Sequence, residues 1–457
     1  MKLNYNIKEF KESVKGKKVA VVGIGVSNAP LIEMLLNYGA EVIACDKKED
    51  FGELEEKFKN KNVKFFLGKD YLKGVLNSDI IFRTPSLRPD NEYLKIAKEK
   101  GAYVTSEIRE FLKYCPAKIF GVTGSDGKTT TTTLIYEMLK EEGYRVFLGG
   151  NIGNPLLNRI EEIDMEDYVV VELSSFQLMD VDYSPNVSVI TNLSPNHLDI
   201  HKGMDEYINS KKNIFLYQKL NDIVILNEDN EITNSMKGEI RSNIRTFSMK
   251  DSNAFSYFDG QNLICNNNVI CNVKDVKLIG MHNIENLLAA FSAVYGFVSL
   301  DSMRKVATNF TGVEHRIEFV REIDGIKFYN DSIASSPTRT VAGLKSFNKK
   351  VILIAGGYDK KIPFDELAVE GIDKIKTLIL MGATKEKIEK AFEDEMEKRN
   401  INIPILKVDT LEEAVKKAYN LAQSGDIITL SPACASFDMF RNFEERGKKF
   451  KEIVMRL

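Results

Sequence analysis

The chain has 457 residues, of which 43% are apolar and 28% charged, and its formal net charge is −3 at pH 7. This length predicts two or three domains, and the composition is that of an ordinary globular protein. The charge balance argues against a nucleic-acid partner. The longest apolar run, residues 287–298, is too short to cross a bilayer, so we expect no membrane partner.

The cysteines and the N-terminus indicate the compartment. The five cysteines are scattered, odd in number and without the spacing of zinc ligands, which fits a reducing environment. Residues 1–6 contain no apolar segment followed by a small-residue cleavage site, so a secretory signal is not expected. We therefore predict a cytoplasmic protein, and no obligatory protein partner is evident.

The first segment, up to residue 114, has the pattern of a nucleotide-binding Rossmann half. The apolar run Lys18–Val22 precedes Gly23–Gly25, and a second apolar run ends at Asp46. An acid at this spacing accepts a hydrogen bond from a ribose hydroxyl in such folds. Asn28 stands where a third glycine is usual. The pattern therefore predicts either a nucleotide-type ligand or only a tight turn, and a dehydrogenase would depend on these glycines alone.

The most specific motif of the chain is Gly121–Thr129, which lies between an apolar run and a helix-like run and so predicts strand, turn and helix. Backbone N–H groups in such a turn converge on phosphate oxygens, and the helix N-terminus adds positive charge. Lys128 would reach the outer phosphates and the Thr129 hydroxyl would hold Mg²⁺. Because Val122 occupies the usual first-glycine position, a glycine-rich connection with a chance lysine is the alternative. The motif predicts use of ATP or GTP.

The middle segment alternates apolar strands with helices, which predicts a parallel sheet covered on both faces. Strands are expected at residues 118–122, 145–147, 168–172, 187–190 and 222–226. Residues 255–276 change to short alternating strands separated by Asp-Gly and Asn-rich turns, which predicts a small antiparallel appendage. A helix is expected over residues 283–298.

Two polar residues that follow strands of this sheet are metal-site candidates. Glu172 ends an apolar strand, where an acid can hold Mg²⁺ directly or through water, although a surface acid is the alternative. His197 follows the 187–190 strand, and ligands bind at carboxyl ends of strands, although a lone histidine is more often structural. The adjacent Lys211 and Lys212 indicate a solvated helix face on composition alone.

The last segment, from residue 313, predicts a second doubly wound sheet, with strands at residues 326–329, 350–355, 377–380 and 426–430. Three of these strands are followed by polar loops, which carry Asp331, Lys360 and residues 431–436. Since carboxyl ends of parallel strands meet at one edge, this edge suits a small charged substrate, with ordinary loop chemistry as the alternative. Residues 385–399 predict a helix with one solvated face.

Taken in order, these motifs resemble the Mur ligase superfamily of ATP-dependent amide ligases. The residues that carry the resemblance are Gly121–Thr130, Gly149–Gly153, Glu172–Leu178, Asn196–Asp199, Gly280–Asn286, His315-Arg316, Asn330–Ser332, Gly356-Gly357 and Ser431–Asp438. The last loop, continuing to Gly447, is similar to that of the branch that adds D-glutamate. An Asp-Asn-Pro-Arg loop, which would suggest the branch that adds a diamino acid, does not occur.

The resemblance implies an α/β protein of three domains. Residues 1–114 would form a Rossmann-like domain for a UDP-sugar. Residues 115–312 would form a central phosphate-loop ATPase-type domain with a mainly parallel sheet and the antiparallel appendage. Residues 313–457 would form a Rossmann-like domain for the incoming amino acid.

The resemblance also implies the reaction. ATP would phosphorylate the L-alanine carboxylate of UDP-N-acetylmuramoyl-L-alanine, and the amine of D-glutamate would then attack the acyl phosphate. The implied cofactors are ATP, Mg²⁺ at two sites and a carbamate on Lys211, which matches the family's modified lysine by its place after Tyr207. This implication differs from the solvated-face interpretation of Lys211.

Site residues follow from the same resemblance. Lys128, His197 and Lys211 are implied as catalytic. The metal ligands would be Thr129, Glu172, His197 and Lys211. ATP would contact Gly124, Ser125, Asp126, Gly127, Lys128, Thr129, Thr130, Asn283, Asn286, Arg316 and Asp331. The UDP-sugar substrate would contact Ser27, Asp46, Asn151, Ser174 and Gln177, and D-glutamate would contact Lys360, Ser436 and Phe443.

Two positions depart from the family pattern. Ile333 stands where many members carry a lysine, and Ser86 replaces a common glycine. A cationic contact in the C-terminal site is therefore missing or supplied by Lys360 or Lys361. The alternatives to the D-glutamate branch are another ligase of the superfamily, such as a folylpolyglutamate synthase, and a nucleotide-binding regulator without rapid hydrolysis.

Overall fold

The structure, a computed structural model, describes residues 5–25, 28–58, 61–197 and 200–457. The chain is α/β and divides into two compact units. The first unit comprises residues up to Asp275 together with His282–Thr308 and contains two sheets. The second comprises Val276–Met281 and Asn309–Leu457 and contains one sheet. The α/β class predicted from the sequence is confirmed, whereas the three domain boundaries stay predictions.

The first sheet is fully parallel, in the order β3-β2-β1-β4-β5. Its strands are β1 (Lys18–Val22), β2 (Glu41–Asp46), β3 (Val63–Leu67), β4 (Ile80–Phe82) and β5 (Tyr103–Thr105). Its helices are α1 (Tyr5–Val14), α2 (Ala29–Asn37), α3 (Glu53–Phe58), α4 (Glu92–Glu99) and α5 (Glu107–Tyr114), with a 3₁₀ segment at Gly68–Asn77. The βαβ unit predicted from the glycines is confirmed. Strand β3 was not predicted, because none of its residues is fully buried and its apolar run is short.

The second sheet has nine strands in the order β14-β13-β12-β11-β10-β9-β6-β8-β7. They are β6 (Lys118–Thr123), β7 (Val146–Gly150), β8 (Tyr168–Glu172), β9 (Val187–Ile190), β10 (Ile223–Asn227), β11 (Asn243–Ser248), β12 (Ser256–Phe258), β13 (Asn262–Cys265) and β14 (Asn268–Asn272). Strand β12 pairs in parallel with β11 and antiparallel with β13. The predicted antiparallel strands are therefore present, and they extend the central sheet instead of standing apart from it.

Helices cover this sheet. They are α6 (Lys128–Glu141), α7 (Ser175–Leu178), α8 (Met204–Lys212), α9 (Glu231–Ser235), α10 (Met281–Val294) and α11 (Leu300–Asn309), with 3₁₀ segments at Leu157–Glu162, Met236–Glu239 and Val273–Asp275. Because β6 lies between β8 and β9, the loops that follow these three strands meet at one edge. The phosphate-binding motif and His197 lie on these loops, and Glu172 is the last residue of β8.

The third sheet has the order β15-β16-β20-β17-β18-β19, and only its edge strand β15 is antiparallel. Its strands are β15 (Glu318–Ile323), β16 (Ile326–Asn330), β17 (Val351–Ala355), β18 (Ile375–Leu380), β19 (Ile405–Lys407) and β20 (Ile427–Leu430). Its helices are α12 (Pro337–Lys345), α13 (Asp365–Gly371), α14 (Lys385–Arg399), α15 (Leu411–Leu421) and α16 (Phe443–Met455), with a 3₁₀ segment at Ile372–Lys374. Strands β16, β20 and β17 are neighbours, so the three polar loops open at one edge as predicted.

Most residues of the central strands are buried, as expected for parallel strands covered on both faces. In β17, β20 and β9 every residue is buried. Helix α14 buries Ile388 and Phe392 and leaves most of its charged residues exposed, so the predicted solvated face is confirmed. No helix within the described ranges is long and apolar enough to cross a membrane.

Candidate active site

The phosphate-binding loop connects β6 to α6 through two glycines that no other residue could replace without strain. Gly124 has φ +150° and Gly127 has φ +78°. A Cβ atom on Gly124 would lie 1.9 Å from Oγ1 of Thr191, and one on Gly127 would lie 2.2 Å from Oδ1 of Asn286. Both conformation and space therefore require glycine. The loop ends where α6 begins, so its amides and the helix N-terminus form an anion-binding concavity.

Side chains of neighbouring loops hold this turn in place. The Asp126 amide donates to Oδ1 of Asn192 at 2.9 Å, and the Thr191 hydroxyl donates to the Asp126 carbonyl at 2.6 Å. Oγ of Ser125 lies 2.8 Å from the Tyr207 hydroxyl. Nζ of Lys128 donates to the carbonyl oxygens of Gly124 and Ser125 at 3.0 and 2.8 Å. The lysine thus lies over the loop, within reach of a phosphate bound there.

Glu172 is buried beside the loop, with 2% of its surface exposed. Its Oε2 accepts a hydrogen bond from the Thr129 hydroxyl at 2.7 Å, and its Oε1 accepts one from the amide of Asn151 at 2.7 Å. The surface-acid alternative is therefore wrong. A carboxylate in contact with the hydroxyl of the phosphate loop offers the oxygen ligands that Mg²⁺ prefers, so these residues fit that ion.

Lys211 is also buried, with 2% of its surface exposed. Its Nζ donates to Oγ1 of Thr123 at 3.0 Å and to the carbonyl of Gly124 at 2.9 Å. Burial, followed by the charge of Lys128, holds the pKa of Lys211 well below its usual range, and Glu172 opposes this shift.

The solvated-face interpretation is therefore wrong for Lys211. Helix α8 turns Tyr207, Ser210 and Lys211 inward, whereas Nζ of Lys212 pairs with Glu239 at 2.6 Å nearer the surface. Adjacent lysines in the sequence point to different sides of a helix, so their burial differs. Only the resemblance singled out Lys211 before the structure did.

His197 lies at the same edge but is exposed and has φ +55°. Its ring makes an edge-to-face contact with Phe176 at 5.3 Å. The buried histidine of this region is His201, whose Nε2 lies 2.9 Å from Oγ of Ser175 and whose ring stacks on Phe176 at 5.0 Å. Leu198 and Asp199 lie outside the described residues. The metal role of His197 stays a prediction.

In the described part of the chain, no three side chains of the types His, Cys, Asp and Glu come together as a metal cluster. The predicted ligand set does not need such a cluster, because it combines Glu172 and His197 with the hydroxyl of Thr129 and with Lys211, which would carry a carbamate. Carbamylation would add an anionic oxygen ligand that the unmodified lysine lacks.

The residues predicted to contact adenine lie at the start of α10. Nδ2 of Asn286 donates to Oδ1 of Asn283 at 3.0 Å, and the Thr131 hydroxyl donates to Oδ1 of Asn286 at 3.3 Å. Asn286 and Thr130 are buried. Since Asn286 also packs against Gly127, α10 contacts the phosphate loop. The sequence motif alone did not indicate this contact.

A cavity of about 410 Å³ lies at the carboxyl edge of the first sheet, and Asp46, Arg83, Ser86 and Gln177 are among its lining residues. Oδ2 of Asp46 accepts from the Ile24 amide at 2.7 Å, which fixes the turn after β1. The cavity is large enough for part of a nucleotide-sized ligand.

Two other predicted substrate residues contact each other. The hydroxyl of Ser174 accepts from the amide of Gln177, and the Gln177 side chain accepts from the Ser174 amide, which together form a capping box at α7. Ser27, also predicted at the UDP-sugar site, lies outside the described residues. Gln177 also lines the cavity at the edge of the first sheet, so the pair of Ser174 and Gln177 lies beside that cavity.

At the edge of the third sheet, Asp331 is buried. Its Oδ2 accepts from the Ser431 hydroxyl at 2.7 Å and its Oδ1 from the Ile317 amide at 3.3 Å. Burial raises the pKa of Asp331 to about 7, against hydrogen bonds from Ser431 and Ile317 and the charge of Arg316 that lower it. Nε of Arg316 is buried without a hydrogen-bond partner among the described residues.

The predicted D-glutamate residues lie on the loops of this edge. Lys360 is exposed, and its Nζ donates to the carbonyl and hydroxyl oxygens of Ser335 at 3.2 and 3.4 Å. Ser436 is buried. Phe443 begins α16 and contacts the His315 ring edge-to-face at 6.0 Å.

One residue that organises this edge was missed by sequence reasoning. Arg446 is buried, and its guanidinium donates to the carbonyls of Ser332, Cys434 and Ala435 at 2.9–3.1 Å. It therefore ties two of the three polar loops together. A single arginine in a charged helix carries no signal for burial, so only the three-dimensional contacts identify it.

Comparison with known proteins assigns the chain to a family. Residues 122–294 match the Mur ligase middle domain, and residues 315–434 match the Mur ligase glutamate ligase domain. The UDP-N-acetylmuramoylalanine--D-glutamate ligase of Clostridium novyi is 60% identical over 460 residues, covering 100% of both chains. The ligase of the same name from Clostridium acetobutylicum is 58% identical over 464 residues, again covering 100% of both.

Solved structures share the fold. The UDP-N-acetylmuramate-alanine ligase MurC of Thermotoga maritima has a TM-score of 0.59 at 18% identity, covering 96% of this chain and 99% of that one. The MurF ligase of Thermotoga maritima, solved in complex with ADP, has a TM-score of 0.53 at 19% identity, covering 98% of this chain and 97% of that one. The chain therefore belongs to the Mur ligases, a superfamily of ATP-dependent amide-forming ligases, and within it to the family of UDP-N-acetylmuramoylalanine--D-glutamate ligases.

Proposed function

We propose that this protein joins D-glutamate to UDP-N-acetylmuramoyl-L-alanine in peptidoglycan precursor synthesis, using ATP and an acyl-phosphate intermediate. The names of the full-length relatives at 58–60% identity support the substrates. The single observation that carries the chemistry is the pair of buried side chains Lys211 and Glu172 at the phosphate loop, with the half-buried Thr129 donating to Glu172. A protein that only binds a nucleotide has no need for a buried acid and a buried amine at this edge.

The reaction would proceed in two displacements. An oxygen of the L-alanine carboxylate attacks the γ-phosphorus of ATP, a P–O bond forms, and ADP leaves. The amine of D-glutamate then attacks the carbonyl carbon of the acyl phosphate, the amine gives up a proton, and inorganic phosphate leaves with the former carboxylate oxygen. Phosphorylation is required because a free carboxylate is a poor electrophile without a leaving group.

The chain's own residues would stabilise the negative charge of this transfer. The loop amides and the ammonium group of Lys128 would contact the β- and γ-phosphates, which is where charge accumulates. Thr129 and Glu172 would hold one Mg²⁺, and His197 and the carbamate of Lys211 would help to hold a second. When bound, Mg²⁺ neutralises the phosphate oxygens and aligns them with the attacking carboxylate.

The environment of Lys211 supports the carbamate. Carbamylation needs a neutral amine, whose nitrogen attacks CO₂ and then loses a proton. Burial and the neighbouring Lys128 both lower the pKa of Lys211, so its neutral form is populated more than in an exposed lysine. The hydroxyl of Thr123 and the carbonyl of Gly124 already hold Nζ at a fixed position.

The remaining predicted residues would bind the UDP-sugar, D-glutamate, and the phosphate, ribose and adenine of ATP. Asp46, Asn151, Ser174 and Gln177 would serve the UDP-sugar in the domain of residues 1–114 and at the adjoining edge of the central domain, residues 115–312. Lys360, Ser436 and Phe443 would bind D-glutamate in the domain of residues 313–457. Arg316 and Asp331 would contact the phosphate and ribose of ATP, and Asn283 and Asn286 its adenine.

Phosphate release from ATP tests the proposal. The protein is supplied with UDP-N-acetylmuramoyl-L-alanine and, in separate reactions, D-glutamate, L-glutamate, a diamino acid and no amino acid. We expect release only with D-glutamate. Release with another amino acid would favour a different ligase of the superfamily. Release without any acceptor would indicate a plain ATPase, and no release with any pair would favour a nucleotide-binding regulator.

A further inference from the structure

One arginine outside the predicted site contacts helix α8, which carries Lys211, and residue Ile200, which lies three residues after His197. Arg88 lies on the segment that follows β4 of the first sheet. Its guanidinium donates to the two carboxylate oxygens of Glu206 at 2.7 and 3.0 Å. The same guanidinium donates to the carbonyl of Ile200 at 2.8 Å. Arg88 thus contacts both Ile200 and the first turn of α8.

Glu206 extends these contacts inward. Its Oε2 accepts from the amide of Lys202 at 2.8 Å and lies 3.4 Å from Nδ1 of the buried His201. The His201 ring contacts Tyr207 edge-to-face at 5.3 Å. Glu206 therefore links the 200–202 loop to α8, and its negative charge in the first turn is favourable for that helix.

Tyr207, the next residue of α8, contacts both the phosphate loop and Lys211. Its hydroxyl lies 2.8 Å from Oγ of Ser125, and Nζ of Lys211 lies 4.9 Å from its ring centroid. Tyr207 is buried, so its position depends on how α8 sits against the sheet. A continuous series of contacts thus runs from Arg88 through Glu206 and α8 to Lys211.

Arg88 is itself held in one orientation. Its Nε and Nη2 atoms donate to the carboxylate of Asp90 at 2.9 and 3.2 Å, so the planar guanidinium is clamped between two acids. Such bidentate geometry orients both partners, which a single lysine charge would not do. The side chain of Arg88 is only 24% exposed, so solvent screening of these pairs is incomplete.

We propose that Arg88 is a positioning residue that fixes α8 and residues 200–202, so that Lys211 is held in the geometry that accepts and keeps a carbamate. This inference rests on the proposed function. It assigns to the first segment of the chain a part in assembling the ATP site, beyond any contact with the UDP-sugar.

The test compares Arg88→Ala with a matched control, Arg109→Ala. Arg109 also makes a bidentate ion pair from the segment of residues 1–114 to the central segment, to Asp182 at 2.8 and 2.6 Å. None of its hydrogen bonds or ion pairs within the described residues reaches α8. The carbamate is observed by ¹³C NMR in ¹³C-bicarbonate, with Lys211→Ala as the blank. Phosphate release is measured over a range of bicarbonate concentrations.

For Arg88→Ala we expect the bicarbonate needed for half-maximal carbamate signal to rise about tenfold, as for other residues that orient a metal ligand. The kcat should fall by a similar factor and recover at high bicarbonate, while the KM for D-glutamate stays unchanged. Arg109→Ala should keep the wild-type bicarbonate dependence. Arg88→Lys and Glu206→Gln, which preserve volume, should show intermediate shifts and guard against misfolding of the alanine variant.

The outcomes separate this inference from the proposed function. A wild-type protein without D-glutamate-dependent phosphate release contradicts the proposed function. If the wild type is active but the Arg88 and Glu206 variants have the same bicarbonate dependence as Arg109→Ala, the positioning role alone is overturned. Equal losses of thermal stability in the Arg88 and Arg109 variants, with no change in the carbamate signal, would overturn it as well.

Discussion

The edges of the central and the C-terminal sheets both collect polar residues, but they hold them differently. At the central edge, Glu172 and Lys211 are buried and hydrogen-bonded to the loop that would hold the phosphates. At the C-terminal edge, Lys360 is exposed and donates to the carbonyl and hydroxyl oxygens of Ser335. The comparison indicates that the proposed phosphate and metal site is preorganised by buried charged side chains, whereas the proposed amino-acid site combines the buried Ser436 with a lysine that stays accessible to solvent.

The largest effect should come from removing Lys211. We expect Lys211→Ala to lower kcat by about 10³-fold, because it removes an anionic ligand from a site where charge develops. Short carboxylic acids should restore part of this activity by replacing the carbamate oxygen. Lys212→Ala is the control, since Lys212 pairs with Glu239 outside the site. Unchanged turnover in Lys211→Ala would remove the carbamate from the mechanism.

A smaller effect is expected at Glu172. Glu172→Gln keeps a hydrogen-bond acceptor for Asn151 but removes the charge, so the Mg²⁺ concentration for half-maximal rate should rise about 10- to 100-fold. Steady-state rates over a Mg²⁺ titration measure this shift, and Glu239→Gln serves as a control on a neighbouring acid away from the phosphate loop. A Mg²⁺ dependence equal to that of wild type would show that Glu172 does not hold the ion.

The C-terminal edge should respond to pH instead. The folded-state pKa of Asp331, about 7, lies above its ordinary value of 3.8, so the folded protein binds this proton more tightly than the unfolded chain. The resulting stability is complete below pH 3.8 and is lost as the pH rises through 7. The loss amounts to about 2 kcal/mol between pH 5 and 7.

Asp331→Asn cannot titrate, so it isolates this contribution. We expect the melting temperature of wild type minus that of Asp331→Asn to fall steadily as the pH rises from 5 to 8. Thermal melts of both proteins in the same buffers measure the difference, and other titrating groups cancel. A difference that is constant across this range would contradict a raised pKa at Asp331.

The smallest effect expected is a steric one in the phosphate loop. Gly127→Ala would place a methyl group 2.2 Å from Oδ1 of Asn286, whereas Gly143→Ala, also at positive φ, meets no atom within 4 Å. Both variants suffer the same kind of backbone strain, so their difference isolates the contact, at about 1–2 kcal/mol. Only Gly127→Ala should also raise the KM for ATP. If the two variants have equal thermal stability and equal KM for ATP, then α10 moves away from the added methyl group without affecting stability or ATP binding.

Sequence reasoning found the central edge more completely than the C-terminal one, for physical reasons. The phosphate loop, Lys128 and Glu172 were predictable because a glycine-rich turn and an acid ending an apolar strand are local patterns. Lys211 was not, since its burial depends on how α8 packs onto β6 and its loop.

The same limit applies to residues that act through distant contacts. Arg88 and Arg446 join loops that are far apart in the chain, and a single arginine has no local signal that distinguishes such a role from solvent exposure. The order of strands in the third sheet brought the three polar loops together as predicted. The raised pKa of Asp331, in contrast, follows from burial, which neighbouring residues in the sequence did not reveal.

The central claim is that ATP activates the L-alanine carboxylate as an acyl phosphate. The most direct measurement uses UDP-N-acetylmuramoyl-L-alanine labelled with ¹⁸O in that carboxylate, followed by mass analysis of the phosphate released with D-glutamate. The mechanism predicts one ¹⁸O atom transferred to each inorganic phosphate. Phosphate released without the label, while the amide product still forms, would contradict it.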